Sequence, residues 1–354
     1  MRALGWFWAG VAIVLVGGAG TLQLLGPLPA PMAAAVHPVN LETAKPVAPT
    51  AGIPTTSPDE DAAANEAATA AAAPATIRAP DPELLEASAS FPGGMLPRIG
   101  ADGRRPMRFY AAHADPPDAR PRVALLLSGV GMSETDSMEA IHATPPPVSL
   151  AISPYAFRPE RLLVAARMAG HETFVSLPLE PDRYPIDDPG NRALLTGNTP
   201  GVNDQRLEWA LTRFAGYVGA TGALGGMRGE RFGAAPELMA PLLRELASRG
   251  LMYIDPRPGA PPPPISAGRG VDVVIDEPAV RTAIEANLAR LEQLARDHGS
   301  ALGLVGEPRP VTLDRIAAWA STLAARGIVL VPVSALARPA PPKVPRETAA
   351  KQAG

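Results

Sequence analysis

The chain contains no cysteine. That removes disulfides, thiolate nucleophiles, cysteine-bound zinc and a lipidated N-terminal cysteine in one step. Histidine is almost as scarce, with His37, His113, His142, His171 and His298 as the five imidazoles. Any metal site has to draw on these or on carboxylates. Aromatic residues make up 5% of the chain and the formal net charge is −3. There is neither a stacking platform for bases nor a basic footprint, so nucleic acid is not an expected partner.

What is present divides the 354 residues into four parts. Residues 1–26 hold an apolar run, Leu4 to Leu25, interrupted only by Thr21 and Gln23 and preceded by Arg2. About 20 such residues are enough to cross a bilayer as a helix, and the leading arginine favours a cytoplasmic N-terminus. A cleaved signal segment is the alternative, with Ala33-Ala34-Ala35 as its cleavage site. The length of the run favours the uncleaved anchor. Either way the remainder is expected to be exported, which points to an inner-membrane, single-pass protein with its C-terminal part in the periplasm.

Residues 27–105 are dominated by Ala, Pro, Thr and acidic residues, as in Ala70-Ala71-Ala72-Ala73-Pro74. So few large apolar side chains cannot offset the entropy of ordering a backbone, and a disordered spacer is expected. Within it, Asp81-Pro82-Glu83 has the form of an N-cap with proline in the first turn, so a short helix over Pro82 to Ser88 is possible. Residues 106–338 form the folded domain. The tail, 339–354, is expected to be loose, because its prolines cannot continue a helix.

Short apolar runs in the domain alternate with amphipathic stretches. Expected strands are Val123–Leu127, Val148–Ile152, Thr173–Leu177, Tyr217–Ala220, Met252–Ile254, Val271–Ile275, Ala301–Val305 and Ile328–Val331. The helix after Pro278 is the plainest: Val280, Ile284, Leu288, Leu291 and Leu294 recur at helical spacing and Gly299 closes it. Others run over Thr312 to Arg326, capped by Gly327, and Glu237 to Arg249, where Pro241 predicts a kink or a late start. Regular alternation of strand and helix means βαβ units and a parallel sheet. Eight strands over this length suit a distorted (β/α) barrel better than an open doubly wound sheet.

In such a fold, chemistry sits at the C-terminal ends of the strands. Glu180, Asp255, Asp276 and Glu307 all fall at or just after expected strand ends, a set that metal-assisted or acid–base hydrolysis could use. The same residues also serve as ordinary turn formers and helix caps. Arg257 suits a structural pair with a neighbouring carboxylate, or a grip on substrate. His171 precedes its strand and so belongs at the opposite end, as a structural imidazole. His142 and His298 lie near helix C-termini, where they complement the dipole.

The segments Val148-Ser149-Leu150-Ala151-Ile152-Ser153-Pro154-Tyr155, Ala165 to Glu172 and Leu177-Pro178-Leu179-Glu180-Pro181 resemble the divergent polysaccharide deacetylase family of bacteria, relatives of the NodB-type carbohydrate esterases. The likeness continues through Leu251 to Asp255, Val274-Ile275-Asp276, Val305-Gly306-Glu307-Pro308 and Val331-Pro332-Val333-Ser334. It spans about Arg120 to Leu336 in the family's order. It implies a NodB-like distorted (β/α) barrel and metal-assisted removal of N-acetyl or O-acetyl groups from glycans. In that chemistry an aspartate and histidines hold a divalent metal, and a second aspartate activates water.

Those residues are missing here. The family's aspartate pair falls on Ser128 and Gly129, and its histidines on Ser176, Ala223 and Glu307. The expectation is therefore an envelope protein, linked to carbohydrate metabolism, that has lost the usual metal site and binds a glycan or a peptidoglycan-associated protein. Ser128, Ser176 and Arg257 are then the candidate substrate contacts. The alternative is an active carbohydrate hydrolase with Glu180, Asp255, Asp276 and Glu307 as catalytic carboxylates, the four acids forming an oxygen-rich site for magnesium or calcium.

Overall fold

The computed structural model describes residues 76–340 apart from 116 and 118. The apolar run Leu4 to Leu25, most of the spacer and the end of the tail lie outside these residues. Among the described residues no helix is long and apolar enough to cross a membrane.

The spacer ends earlier than its composition implies. Residues 76–105, expected to be disordered, carry a 3-10 turn at Pro82–Leu84 and a hairpin of β1 (Leu85–Ala87) and β2 (Met95–Pro97). Asp81 caps the turn by accepting from the Glu83 amide at 2.9 Å, so the expected cap is there but the helix stops after one turn. Ser88 and Ser90 tie the hairpin to Glu208. Few apolar residues are needed when each is placed well: Leu84 and Leu96 are buried. A single turn, α1 (Pro106–Phe109), follows.

The domain then alternates as expected: β3 (Arg122–Val130), α2 (Glu134–Ala143), β4 (Ser149–Ile152), α3 (Pro159–Met168), β5 (Thr173–Ser176), α4 (Pro200–Leu211), β6 (Gly219–Thr221), α5 (Glu230–Gly233), α6 (Pro236–Ser248) and β7 (Met252–Asp255). It continues through β8 (Gly268–Gly270), β9 (Val273–Val274), α7 (Arg281–His298), β10 (Ser300–Val305), α8 (Pro310–Ala320) and β11 (Val329–Leu330). The strands run in the spatial order β8-β7-β6-β5-β4-β3-β10-β9, every pair parallel, with β11 against the start of β3.

The two ends of that order are halves of one stretch. Only Val271 and Asp272 separate β8 from β9; the Val271 amide donates to the Asp255 carbonyl of β7 and the Asp272 amide to the Leu302 carbonyl of β10, both at 2.9 Å. One bent segment thus draws the sheet round into a distorted (β/α) barrel. The expected strand Val271–Ile275 is observed over Val273–Val274 alone; β8 lies ahead of it at Gly268-Arg269-Gly270, which carries no apolar signal.

Alternation along each strand sorts the core in two. Val123, Leu125 and Leu127 pack outward against Leu163, Leu288, Leu291 and Ile316 of the helices. Ala124 and Leu126 face inward with Phe174, Ile254, Leu302 and Leu304, and Leu84 and Tyr110 join this inner cluster. α7 matches its expected periodicity, with Gly299 at φ 79 as its cap. The helix expected over Thr312 to Arg326 breaks after Ala320, because Ser321 and Thr322 turn their hydroxyls back onto the carbonyls of Ala318 and Trp319 at 2.8 Å each. Pro241 neither delays nor ends α6.

Candidate functional site

A groove of about 700 Å3 opens at the C-terminal rim of the barrel, above β3 and β10. Four connections line it: Gly129, Met132, Ser133 and Asp136 after β3; Arg183, Asp187 and Asp188 after β5; Leu224 to Met227 after β6; and Glu307 to Pro310 after β10.

Its floor is the end of β3. Leu127 lies opposite Leu150 and Val130 opposite Ile152, so three steps on β3 match two on β4. Ser128 and Gly129 are the residues of this bulge, a device that re-aims side chains beside functional sites. Gly129 has φ 73, and a Cβ there would lie 3.0 Å from the Gly306 carbonyl oxygen and 3.2 Å from Cδ of Pro308. Glycine is required twice over, by the dihedral and by the approach of the β10–α8 loop.

Asp276 holds that loop in place. Its two oxygens accept from the amides of Gly306 at 2.8 Å and Glu307 at 3.2 Å. Burial pushes its carboxyl above the ordinary value, against the pull of these amides. Glu307 turns outward, where Nε and Nη2 of Arg309 reach one of its oxygens at 3.0 and 2.9 Å. Across the groove Arg183 forms a two-bond fork with Asp187, at 2.8 and 2.7 Å. This contact holds the Asp187 carboxyl below its usual range. Met132 is exposed at the groove, and Phe157 and Ile186 are exposed on the loops after β4 and β5.

Of the four candidate acids only Glu307 lines this groove; Asp276 stands behind the loop it holds, and Glu180 and Asp255 are engaged elsewhere. Glu180 is buried and accepts from the Thr196 amide and from Arg231, the latter at 3.0 Å. Burial works to raise its carboxyl, but these donors outweigh it and hold it below the ordinary value. Asp255 takes the Arg257 amide at 3.1 Å and the Arg257 side chain at 3.0 and 2.6 Å, closing the turn after β7. Of the four acids only Asp276 and Glu307 meet directly, through a backbone amide. Arg257 is thus engaged by its own neighbour, as the structural pairing expects.

Ser128 and Ser176 are fully buried and their hydroxyls have no hydrogen-bond partner. Neither is among the residues that line the groove. Ala223 is fully buried too. Among the described residues no group of three or more His, Asp or Glu is placed to hold a metal ion. A metal centre of the kind the resemblance implies therefore does not fit these residues. Serine, glycine and alanine offer little to a divalent cation, and the carboxylates are committed to arginines and amides.

His171 is at the opposite end, as expected, fully buried with its ring nitrogens against the carbonyls of Val148 and Ile141 at 2.8 and 3.0 Å. Its neighbour Glu172, which the sequence reading passed over, is a fully buried carboxylate. It accepts from Ser149 Oγ at 2.8 Å, the Ala112 amide at 3.1 Å, and both the amide and hydroxyl of Ser334. Arg183, Asp187 and Asp188 were also missed. The available signal was a charged connection over residues 177–199, longer than the ~12–15 residues beyond which a loop is usually functional.

Comparison with known proteins agrees with this fold. The family model described as divergent polysaccharide deacetylase matches residues 125–337. The crystal structure of an uncharacterised protein from Agrobacterium tumefaciens C58 is 33% identical, with a TM-score of 0.61, and the match covers 69% of this chain and 99% of that one. The catalytic domain of a peptidoglycan N-acetylglucosamine deacetylase from Eubacterium rectale is 10% identical, TM-score 0.39, covering 67% and 97% of the two chains. A family 4 carbohydrate esterase from Streptomyces lividans is 14% identical, TM-score 0.37, covering 63% and 98%. At these last two scores the likenesses add nothing further. No curated protein matches. With a family model covering most of the folded chain, and a relative of one-third identity matched almost end to end, this protein belongs to the divergent polysaccharide deacetylase family.

Proposed function

We propose that this protein binds glycan in the rim groove without hydrolysing it, having lost the family's metal centre, and that it works in the cell envelope on peptidoglycan or a peptidoglycan-associated protein. One observation carries the reading. At the bulge of β3, where the family's aspartate pair would stand, Ser128 is fully buried and Gly129 is closed over by the Gly306–Pro308 backbone. The groove still has a size that takes a small ligand. Planar guanidinium–carboxylate pairs offer fixed donors and acceptors to sugar hydroxyls, and exposed Met132 offers apolar surface to a sugar face. The envelope setting rests on the apolar run Leu4 to Leu25, read as an anchor.

The test is calorimetric titration of the full chain, reconstituted in phosphatidylcholine nanodiscs, with chitin oligomers and soluble peptidoglycan fragments. Saturable binding is expected, weakened about tenfold or more by Arg183→Ala and by Arg309→Ala, since each removes a charge-assisted set of hydrogen bonds. Binding unchanged by both substitutions would remove the groove from consideration.

A further inference from the structure

At the end of the barrel opposite the groove lies a second cavity, of about 270 Å3, lined among others by Arg105, Arg108 and Arg338. All three arginines are exposed, and no side-chain partner is found for any of them among the described residues. Among the described residues Arg122, Arg244 and Arg290 likewise have no carboxylate partner, but none of them lines this cavity. Arg104, Arg183, Arg228, Arg231, Arg249, Arg257, Arg269, Arg281 and Arg309 are all paired with carboxylates. The cavity lining contains no aspartate or glutamate. Three guanidiniums around one hollow with no carboxylate partner among the described residues, in a chain of net charge −3, are a local excess of one sign held against the overall balance.

The inner wall has a different character. Leu251, Met252 and Ala267 form it and are buried. The backbone there is already satisfied, since Gly250 accepts from the Met107 amide and Gly268 and Arg338 exchange both their hydrogen bonds. The hollow therefore presents cations at its mouth and hydrocarbon within. We propose that it is a binding site for a small phosphate ester with an apolar body, the phosphate held by Arg105, Arg108 and Arg338. A phosphate monoester carries about −1.5 to −2 charges and three acceptor oxygens, so it matches three guanidiniums better than a carboxylate does. The volume lies just under the ~300 Å3 at which pockets for drug-sized ligands begin, so the apolar body is short. This site stands apart from the groove and does not depend on the function proposed for it.

The experiment titrates the full chain in phosphatidylcholine nanodiscs with n-hexyl phosphate, inorganic phosphate, hexanoate and n-hexyl glucoside. Hexyl phosphate is expected to bind at one per chain and about tenfold tighter than inorganic phosphate, because the alkyl chain is buried as well. Binding should weaken as salt rises. Arg105→Gln combined with Arg338→Gln should weaken it tenfold or more, with an unchanged circular dichroism spectrum showing that the variant is folded. Arg183→Gln at the other end should leave it unchanged. A parallel arm asks whether nanodiscs containing phosphatidate compete with hexyl phosphate. Competition names a lipid headgroup as the source and its lack names a soluble ester, and either supports the site. Equal binding of hexanoate or hexyl glucoside, or binding indifferent to the arginines, would overturn it.

Discussion

At position 129 the backbone, and not only the missing side chain, keeps a carboxylate out. A φ of 73 suits glycine, and the Gly306 carbonyl oxygen stands where a Cβ would go. The left-handed conformation alone costs an ordinary residue roughly 1–2 kcal/mol, and displacing the loop adds to it. Gly129→Asp is therefore expected to destabilise the fold by about 2 kcal/mol or more, measured by urea unfolding. A variant as stable as the parent would show that the loop is free to move. Glu172 offers a second check. Burial raises its carboxyl above the usual value, so the folded state binds its proton more tightly than the unfolded chain does. By linkage, stability is then lost as pH rises from the unfolded value of ~4.5 through the folded one. Glu172→Gln has no such titration. The parent's advantage over this variant should shrink as pH rises from 4.5 upward, and a growing advantage would contradict the assignment. That acids follow strands was legible in the chain, since Asp, Glu, Pro and Gly cluster there. Their duties were not, because the groups that hold them are distant in sequence: Thr196 lies far along the same connection as Glu180, Arg231 is on α5, and the Gly306 amide follows β10.

Among the elements, the strands were the most readable. A strand buried on both faces is a continuous apolar run, and Val123 to Leu127 is one. β8 escaped because Gly268-Arg269-Gly270 earns its place through the backbone alone, against β7. α8 stopped early because two hydroxyl side chains compete for its last carbonyls. Connections, whose partners are distant in sequence, were least readable, and the one after β5 is the clearest instance. Glu180 anchors it at Thr196 and Arg231. Glu180→Gln keeps the size but weakens both contacts, so hydrogen exchange should quicken across residues 193–199 while β5 itself keeps its protection. Uniform exchange throughout the domain would instead point to global destabilisation.

On the scale of the whole molecule, residues 76–112 belong to the fold. Leu84 and Tyr110 pack into the inner cluster of the barrel, and Glu172 ties the Ala112 amide to Ser149 and Ser334. An Ala- and Pro-rich composition concealed this, since a few buried residues suffice when a preformed core receives them. Leu84→Ala should cost about 2–5 kcal/mol, the range for a buried leucine that leaves a cavity, and thermal or urea unfolding would show it. The opposite end of the barrel carries the main functional claim, that a deacetylase frame persists there without its metal chemistry. Acetate release tests it most directly, with the full chain incubated with chitin oligomers and peptidoglycan in the presence of added zinc, cobalt, magnesium or calcium. No acetate above the metal-only blank is the predicted result. Metal-dependent release that Asp255→Ala abolishes would contradict it.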